Sequence, residues 1–342
     1  MIKNNDLSLI EKHRNKIFGI AALWIYFFHL WTPIIEQNTY IEFIKRIGFC
    51  GVDIFLLLSG IGLTHSIKKH NLKQFYYNRI KRIIFPFIIA ALIFLIYGKW
   101  SIFMFLKNIL FYDFFFNDIY TFLWYVPCIL IFYLLFPLYY KYFEKSKNKY
   151  LFIFISLLIW ALPTFLLIKY IRPDFYGIIH RIPIFITGIF FGWFIKEKNF
   201  QLKKTSLVFT TLILLLSLQI SYMINIKNFI SFIPSANCLP NYFIALTLTI
   251  LLAFLFEKTK KLKISKYTNY LFIYYGTISL HFYCIQETIG KIIKLDNTPI
   301  ILRNIILLII ITITSKILYF LDIKFWQLLK QTSIKKKKES KA

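Results

Sequence analysis

Apolar runs of about 16 to 22 residues recur along the whole chain, and each is long enough, or nearly so, to cross roughly 30 Å of hydrocarbon. Hydrophobic residues make up 58% of the 342 residues, which is more than a soluble domain carries. Inside a membrane each backbone polar group needs a partner within the protein, so the runs favour helices. We therefore predict an all-α polytopic membrane protein, with about ten transmembrane helices in one bundle and a single domain over residues 1–342.

The predicted spans begin where charged or turn-forming residues give way to apolar ones. They cover about 17–35, 50–67, 83–98, 122–140, 151–169, 180–195, 206–224, 241–256, 270–288 and 301–320. The segment of about 99–121 carries charged residues among aromatic ones, a pattern more typical of a helix lying in the outer interface than of a crossing helix.

The distribution of charge predicts the orientation of the bundle. With ten spans, the two termini and the even-numbered loops hold 30 of the 42 Lys and Arg residues, so we expect both termini in the cytoplasm, including a basic tail at about 329–342. The formal charge of +27 then reflects membrane orientation and contact with membrane lipid, and we expect no nucleic-acid partner. The abundance of Ile, Lys, Asn, Phe and Tyr suggests a bacterial source, and hence the bacterial cell membrane.

The first span, about 17–35, follows basic residues such as Arg14 and is apolar except for His29, which stands about two-thirds of the way through it. A polar group at membrane depth needs a partner, and an ionisable one is a functional-site hypothesis. The alternative is a histidine that bonds to a neighbouring helix for packing. Asp53, near the outer end of the second span, comes within reach of His29 if the two helices are antiparallel neighbours; alternatively, it caps its own helix.

Basic residues collect on the predicted cytoplasmic side, after the second span. Arg79 and Arg82 are three residues apart and share a helix face, and guanidinium groups suit phosphate oxygens. Lys81 and Arg14 add charge on the same side. Orientation of the helices by positive charge is the alternative explanation.

Several polar residues lie near the predicted outer ends of later spans and are candidates for binding an acceptor. They are Tyr125, His180, Arg181, His281 and Gln286, with Glu287 beside the last of them. An aromatic residue near the outer boundary, such as Tyr125, is most often part of an interfacial belt, and a sugar-binding mouth is the alternative. The patch around Gly60 and Gly62, and the pair Gly188 and Gly192, predict close helix packing. Four isolated cysteines without a CxxC spacing indicate no metal site.

Six motifs appear in an order that resembles the membrane acyltransferase-3 family, whose members transfer acyl groups, usually acetyl, onto carbohydrates. They cover about 14–290 and read GIAALWIYFFH, GVDIFLLLSG, FYYNRIKRIIFPF, LWYVP, RIPIFITGIFFG and GTISLHFYCIQ. By this resemblance, His29 matches an essential histidine of the first helix, and Arg79 and Arg82 match an RxxR pair thought to hold the acyl-CoA donor. Phe18 stands where many members have an arginine, and Arg14 is its candidate substitute. Gln286 stands where many have a histidine.

The resemblance implies a membrane-embedded O-acyltransferase that moves acetyl from cytoplasmic acetyl-CoA to a hydroxyl of a cell-surface polysaccharide or lipid-linked glycan. His29, oriented by Asp53, is then the general base or the carrier of the acetyl group. Any second transfer step is expected to need a glycan-assembly partner protein. The alternative function is a glycan or lipid translocator, in which the same polar groups line a pathway.

Overall fold

A computed structural model describes residues 6–30, 39–98, 100–117, 122–166, 176–197, 203–227, 229, 236–293, 295 and 298–339. These residues form helices joined by short turns, with no strand among them, and the predicted all-α polytopic class is confirmed. The predicted span ends at 31–35 and 167–169, positions 118–121 of the interfacial segment, and the last three tail residues lie outside the described residues.

The helices are numbered here in chain order. They are α1 (Leu9–Lys12), α2 (Arg14–His29), α3 (Thr39–Arg46), α4 (Cys50–Ile67), α5 (Leu72–Tyr97), α6 (Ile102–Ile109), α7 (Tyr112–Phe116), α8 (Tyr125–Lys145), α9 (Lys149–Leu166), α10 (Tyr176–Ile179), α11 (Ile182–Glu197), α12 (Lys204–Asn225), α13 (Cys238–Thr259), α14 (Lys263–Thr277), α15 (Ser279–Ile292) and α16 (Ile300–Glu339). A 3₁₀ turn at Ile47–Phe49 joins α3 to α4.

Seven helical stretches of the described residues are long and apolar enough to cross a membrane, so the predicted number of about ten is too high by this measure. They are Tyr40–Ile67, Leu72–Tyr97, Tyr125–Lys145, Gly177–Glu197, Lys204–Asn225, Cys238–Thr259 and Ile300–Thr332. Of the other predicted spans, α2 has 16 residues, about 24 Å of rise, and begins with a charged residue. The apolar stretch of α9 is short, Lys149–Leu162, and the span predicted at 270–288 is broken.

The break in the span predicted at 270–288 lies at Ile278, which separates α14 from α15. Gly276, near the end of α14, packs against the backbone of Asn15 at the start of α2. On α15, the Phe282 ring lies 5.8 Å from the Tyr26 ring, towards the other end of α2. The chain therefore approaches the start of α2 along α14 and follows α2 towards its end along α15. The prediction of one continuous helix over 270–288 was wrong, because the apolar pattern continues through the break and does not indicate a change of direction.

The segment predicted to lie in the interface forms two short helices. Helix α6 has eight residues and α7 has five, so neither is long enough to cross a membrane. Ile102, Phe103 and Met104 are more than half exposed, as expected of side chains that face lipid or its interface.

Helices α2 and α4 are antiparallel and closely packed. A Cβ atom added at Gly51 would lie 2.7 Å from the Ala21 carbonyl oxygen, and one added at Gly62 would lie 2.7 Å from Nη2 of Arg14. The start of α4 therefore lies beside the end of α2, and the end of α4 beside the start of α2. This arrangement places the two ends of α2 at opposite ends of the bundle.

Helix α11 packs on α4 through small residues, as the glycine pattern predicted. A Cβ atom added at Gly60 would lie 2.6 Å from the Phe185 carbonyl oxygen, and one added at Gly188 would overlap the carbonyl oxygen of Leu57. Backbone meets backbone at these positions, so neither glycine leaves room for a larger residue.

We expect Gly188→Ala to destabilise the protein by about 1–3 kcal/mol, because the added methyl group meets rigid backbone. Gly290→Ala is the matched control, since a Cβ atom there would meet nothing within 4 Å. Thermal unfolding of the purified protein in detergent measures both. Equal unfolding temperatures for the two variants would show that α4 and α11 are not held at this distance.

Candidate functional site

A cavity of about 420 Å³ lies at the start of α2 and is lined by Arg14, Arg79 and Arg82 together with apolar and hydroxyl side chains. Arg79 and Arg82 come from one face of α5, as their spacing predicted, and Arg14 comes from α2. We call it the arginine cavity. The structure thus brings together the three arginines that the sequence assigned to donor binding.

The three guanidinium groups lack carboxylate partners. Among the described residues, none of them lies within ion-pair distance of an Asp or Glu, in contrast to Arg46 and Arg181, which do. The Nε atoms of Arg14 and Arg79 are buried without a hydrogen-bond partner. Because buried polar groups are normally bonded, this arrangement favours an anionic ligand.

Arg14 reaches the cavity because its neighbours on α4 are small. Its Nη2 donates a hydrogen bond to the Leu58 carbonyl oxygen at 3.2 Å, beside Gly62, where a side chain would collide with the guanidinium. Its guanidinium carbon lies 5.0 Å from the centre of the Phe18 ring. Phe18 stands at the position where the family resemblance expects an arginine. It contacts Arg14, which lies one helical turn earlier.

The arginine cavity also contains a pair of side chains that sequence reasoning did not join. Nε2 of His281 lies 3.1 Å from Oδ2 of Asp322, and both residues are buried. The prediction that His281 lies with the acceptor-side residues is wrong, because α14 brings the chain to the start of α2 and His281 follows only three residues after the bend at Ile278. The sequence analysis missed Asp322 because the predicted last span ended two residues before it. The feature that could have identified it is an acidic residue with apolar residues of the same helix on both sides.

A second cavity, of about 270 Å³, lies at the far end of α2 and is lined by His29, Gln286, Arg303 and Asn304, among others. We call it the histidine cavity. Nε2 of His29 lies 2.7 Å from Oε1 of Glu287, whose other oxygen lies 3.2 Å from Nζ of Lys291. Gln286 is buried, and neither its amide nitrogen nor its oxygen has a hydrogen-bond partner among the described residues.

The predicted pairing of His29 with Asp53 is wrong. Oδ1 of Asp53 lies 3.6 Å from Nε of Arg181, and the two residues are 4% and 8% exposed. Nη1 of Arg181 donates to the Gly177 carbonyl oxygen at 2.6 Å, and its guanidinium carbon lies 4.9 Å from the centre of the Trp124 ring. Asp53 thus pairs with an arginine at the start of α11, on the side of α4 away from α2.

The remaining predicted residues are dispersed. Nζ of Lys81 lies 5.0 Å from the centre of the Trp326 ring, outside the arginine cavity. Tyr125 lines the arginine cavity instead of an outer site, and the His180 carbonyl oxygen accepts a hydrogen bond from the Cys238 thiol at 3.7 Å.

Among the described residues, no three His, Cys, Asp or Glu side chains lie close enough together to hold a metal ion.

The two cavities are separate. Arg14 and His29 are the first and last residues of α2, which places them about 22 Å apart along its axis. The cavities share no lining residue. Between them lies an aromatic layer, with ring centres 5.3–6.1 Å apart, formed by Phe18, Tyr26, Phe55, Tyr125, Phe282 and Tyr283.

The model of one protein family, described as an acyltransferase domain, matches residues 19–321, most of the chain. The match includes His29, Arg79, Arg82 and Glu287, while Arg14 precedes it. No curated protein and no solved structure matches the chain.

We expect Asp53→Asn to act mainly on stability. Removing one partner of a buried ion pair leaves an unpaired charge and costs about 3–5 kcal/mol. The double variant Asp53→Leu with Arg181→Met should recover part of this loss, because an apolar pair has no charge to compensate. The yield and unfolding temperature of membrane-inserted protein measure the effect. If the Asp53→Asn protein is stable but has lost acyl transfer, the result would support a catalytic role for Asp53.

Proposed function

This chain belongs to the acyltransferase-3 family and is an acyltransferase, and from that premise we propose that it transfers acetyl from acetyl-CoA to a hydroxyl of a cell-surface polysaccharide or lipid-linked glycan. The observation that carries the proposal is the arrangement along α2. A cavity lined by three arginines lies at one end, and a histidine paired with a carboxylate lies in a second cavity at the other.

In this proposal the arginine cavity binds the donor from the cytoplasm of a bacterial cell. Arg14, Arg79 and Arg82 hold the phosphate groups of CoA, since each guanidinium offers planar donors that match phosphate oxygens. The cavity wall beyond them is formed by apolar and hydroxyl side chains such as Ser59 and Ile129, which suit a largely uncharged pantetheine arm. The acyl end of the arm extends towards the aromatic layer.

At the other end, His29 activates the acceptor. Glu287 accepts the hydrogen bond from Nε2, so the neutral imidazole keeps its lone pair on Nδ1. With the acyl arm past the aromatic layer, Nδ1 takes the proton of the acceptor hydroxyl and the hydroxyl oxygen attacks the thioester carbonyl carbon. The carbon–sulfur bond breaks with its electron pair on sulfur, and the imidazolium gives its proton to the departing CoA thiolate. An acetyl group carried on His29 before transfer uses the same atoms, with Nδ1 as the nucleophile.

The donor assignment predicts weaker CoA binding in the double variant Arg79→Ala with Arg82→Ala. Each charge-assisted contact is worth roughly 1.5–3 kcal/mol, so the affinity should fall roughly 100-fold or more. Lysine at both positions should lose less, because the charge survives. Lys81→Ala is the matched control, since this side chain leaves the same helix but does not line the cavity. An equal loss of CoA affinity in the control would show that the arginines contribute only general positive charge.

The assignment of His29 predicts that His29→Ala and His29→Gln both lose acyl transfer, by about 10²–10⁴-fold, while keeping CoA affinity. Glutamine forms hydrogen bonds but takes no proton at neutral pH. Glu287→Gln should lose less, because the imidazole remains but is less firmly oriented. The measurement is glycan acetylation per unit of membrane-inserted protein. Near-normal activity of the glutamine variant would make His29 a packing residue, and glycan movement without acetylation would indicate a translocator.

A further inference from the structure

The histidine cavity contains a side-chain amide to which the proposed transfer gives no role. Gln286 on α15 lines this cavity and is 5% exposed. Neither its amide nitrogen nor its amide oxygen has a hydrogen-bond partner among the described residues. Buried polar groups are normally bonded, because an unbonded one lowers stability. The amide therefore has its N–H donors available for a ligand that enters the cavity.

Packing alone does not account for a glutamine at position 286. Part of the cavity wall is apolar, with Leu30, Ile293 and Leu307 among its residues, and a leucine at 286 would fill similar space without an unpaired polar group. Gly290, one turn further along the same face of α15, also lines the cavity, and a Cβ atom there would meet nothing within 4 Å. The face of α15 that carries the amide therefore borders open space.

Helix α15 places this amide in the same cavity as the proposed base. Glu287, the residue after Gln286, has its Oε1 atom 2.7 Å from Nε2 of His29. Phe282, one turn before Gln286, packs on Tyr26 of α2 with ring centres 5.8 Å apart. These two contacts hold α15 against the end of α2, so the amide and the imidazole line one cavity.

Acyl transfer creates a negative charge that needs such donors. When the acceptor oxygen attacks the thioester carbonyl carbon, the electron pair of the carbonyl double bond moves to its oxygen and forms an oxyanion. The charge forms twice if His29 carries the acetyl group, once in each attack. The carboxylate of Glu287, next to Gln286, disfavours a second negative charge nearby. Preorganised N–H donors at the oxyanion lower the barrier strongly.

Two other donors of the histidine cavity already interact within the protein. The hydroxyl group of Tyr26 donates to the Asn304 carbonyl oxygen at 2.9 Å, and Arg303 interacts with another group of the chain. The side chain of Asn304 is a second amide of the cavity, but it comes from α16. Gln286 comes from the helix that also orients His29, so its donors keep a constant position relative to the base.

We propose that the side-chain amide of Gln286 donates a hydrogen bond to the oxyanion of the transferred acyl group; this inference rests on the proposed function. The bond strengthens as the carbonyl carbon becomes tetrahedral. When the carbon–sulfur bond breaks, the electron pair on oxygen re-forms the carbonyl double bond and the hydrogen bond weakens. No proton is transferred at this oxygen, since His29 carries the proton from the acceptor hydroxyl to the thiolate. Gln286 is thus a catalytic residue, because it contacts a reacting atom.

The experiment titrates a glycan extract of the producing cell into the full-length protein in detergent at saturating acetyl-CoA. Release of CoA thiol gives the maximal turnover and the extract concentration at half-maximal turnover. We expect Gln286→Leu to lower the maximal turnover about 100-fold, with the half-maximal concentration and the CoA affinity within about threefold of wild type. Its unfolding temperature should equal or exceed that of wild type, because an unpaired amide is removed. A structural role predicts the opposite.

Gln286→His keeps an N–H donor and should be slowed less than Gln286→Leu, whereas Gln286→Glu has similar shape but no donor when ionised and should be slowed at least as much. Gln219→Leu is the matched control, because Gln219 lies on α12 and lines neither cavity; it should turn over at the wild-type rate.

Wild-type maximal turnover in Gln286→Leu would overturn the proposal. A higher half-maximal extract concentration with unchanged maximal turnover would also overturn it, since the amide would then bind the acceptor. A lower unfolding temperature together with no rescue by histidine would show a structural role instead. If wild-type protein releases no CoA thiol, the proposed function falls; if His29 variants lose turnover and Gln286→Leu does not, the proposed function stands and this inference fails.

Discussion

The hydrocarbon core of a membrane offers no water to bond polar groups, and this constraint determines where the polar side chains of this protein lie. Each buried charge has a partner or lines a cavity. Asp53 meets Arg181, and His29 meets Glu287, with both pairs joining helices that are far apart in sequence. Among the described residues, no carboxylate lies within ion-pair distance of the guanidinium groups of Arg14, Arg79 and Arg82, which line a cavity large enough for a ligand.

Helix α2 links the two cavities and sets the distance between them. Its 16 residues place Arg14 and His29 at opposite ends, and close packing holds it there. Gly51 of α4 allows the two backbones to approach, Gly62 leaves space for the Arg14 guanidinium, and Gly276 allows α14 to approach the backbone of α2. The small residues therefore act on function indirectly, because they hold the two ends of α2 against the residues that complete each cavity.

The aromatic layer separates the two ends of the bundle. The rings of Phe55, Tyr125 and Tyr283 pack against one another, and the arginine cavity and the histidine cavity share no lining residue. Under the proposed function, these rings have to move for the acyl arm of the donor to reach His29.

Much of this protein can be derived from its sequence, because hydrophobicity and charge spacing are local properties. Apolar runs determine an all-α membrane protein, the spacing of Arg79 and Arg82 determines that they share a face, and the isolation of His29 marks it as a candidate site. Tertiary structure alone decided the partners. A carboxylate for His29 was available in Asp53, one helix away, yet α15 brings Glu287 to the end of α2, and the bend at Ile278 places His281 beside the arginines at its start. Pairing depends on the rotation and direction of helices distant in sequence, and no periodicity within a single helix encodes these.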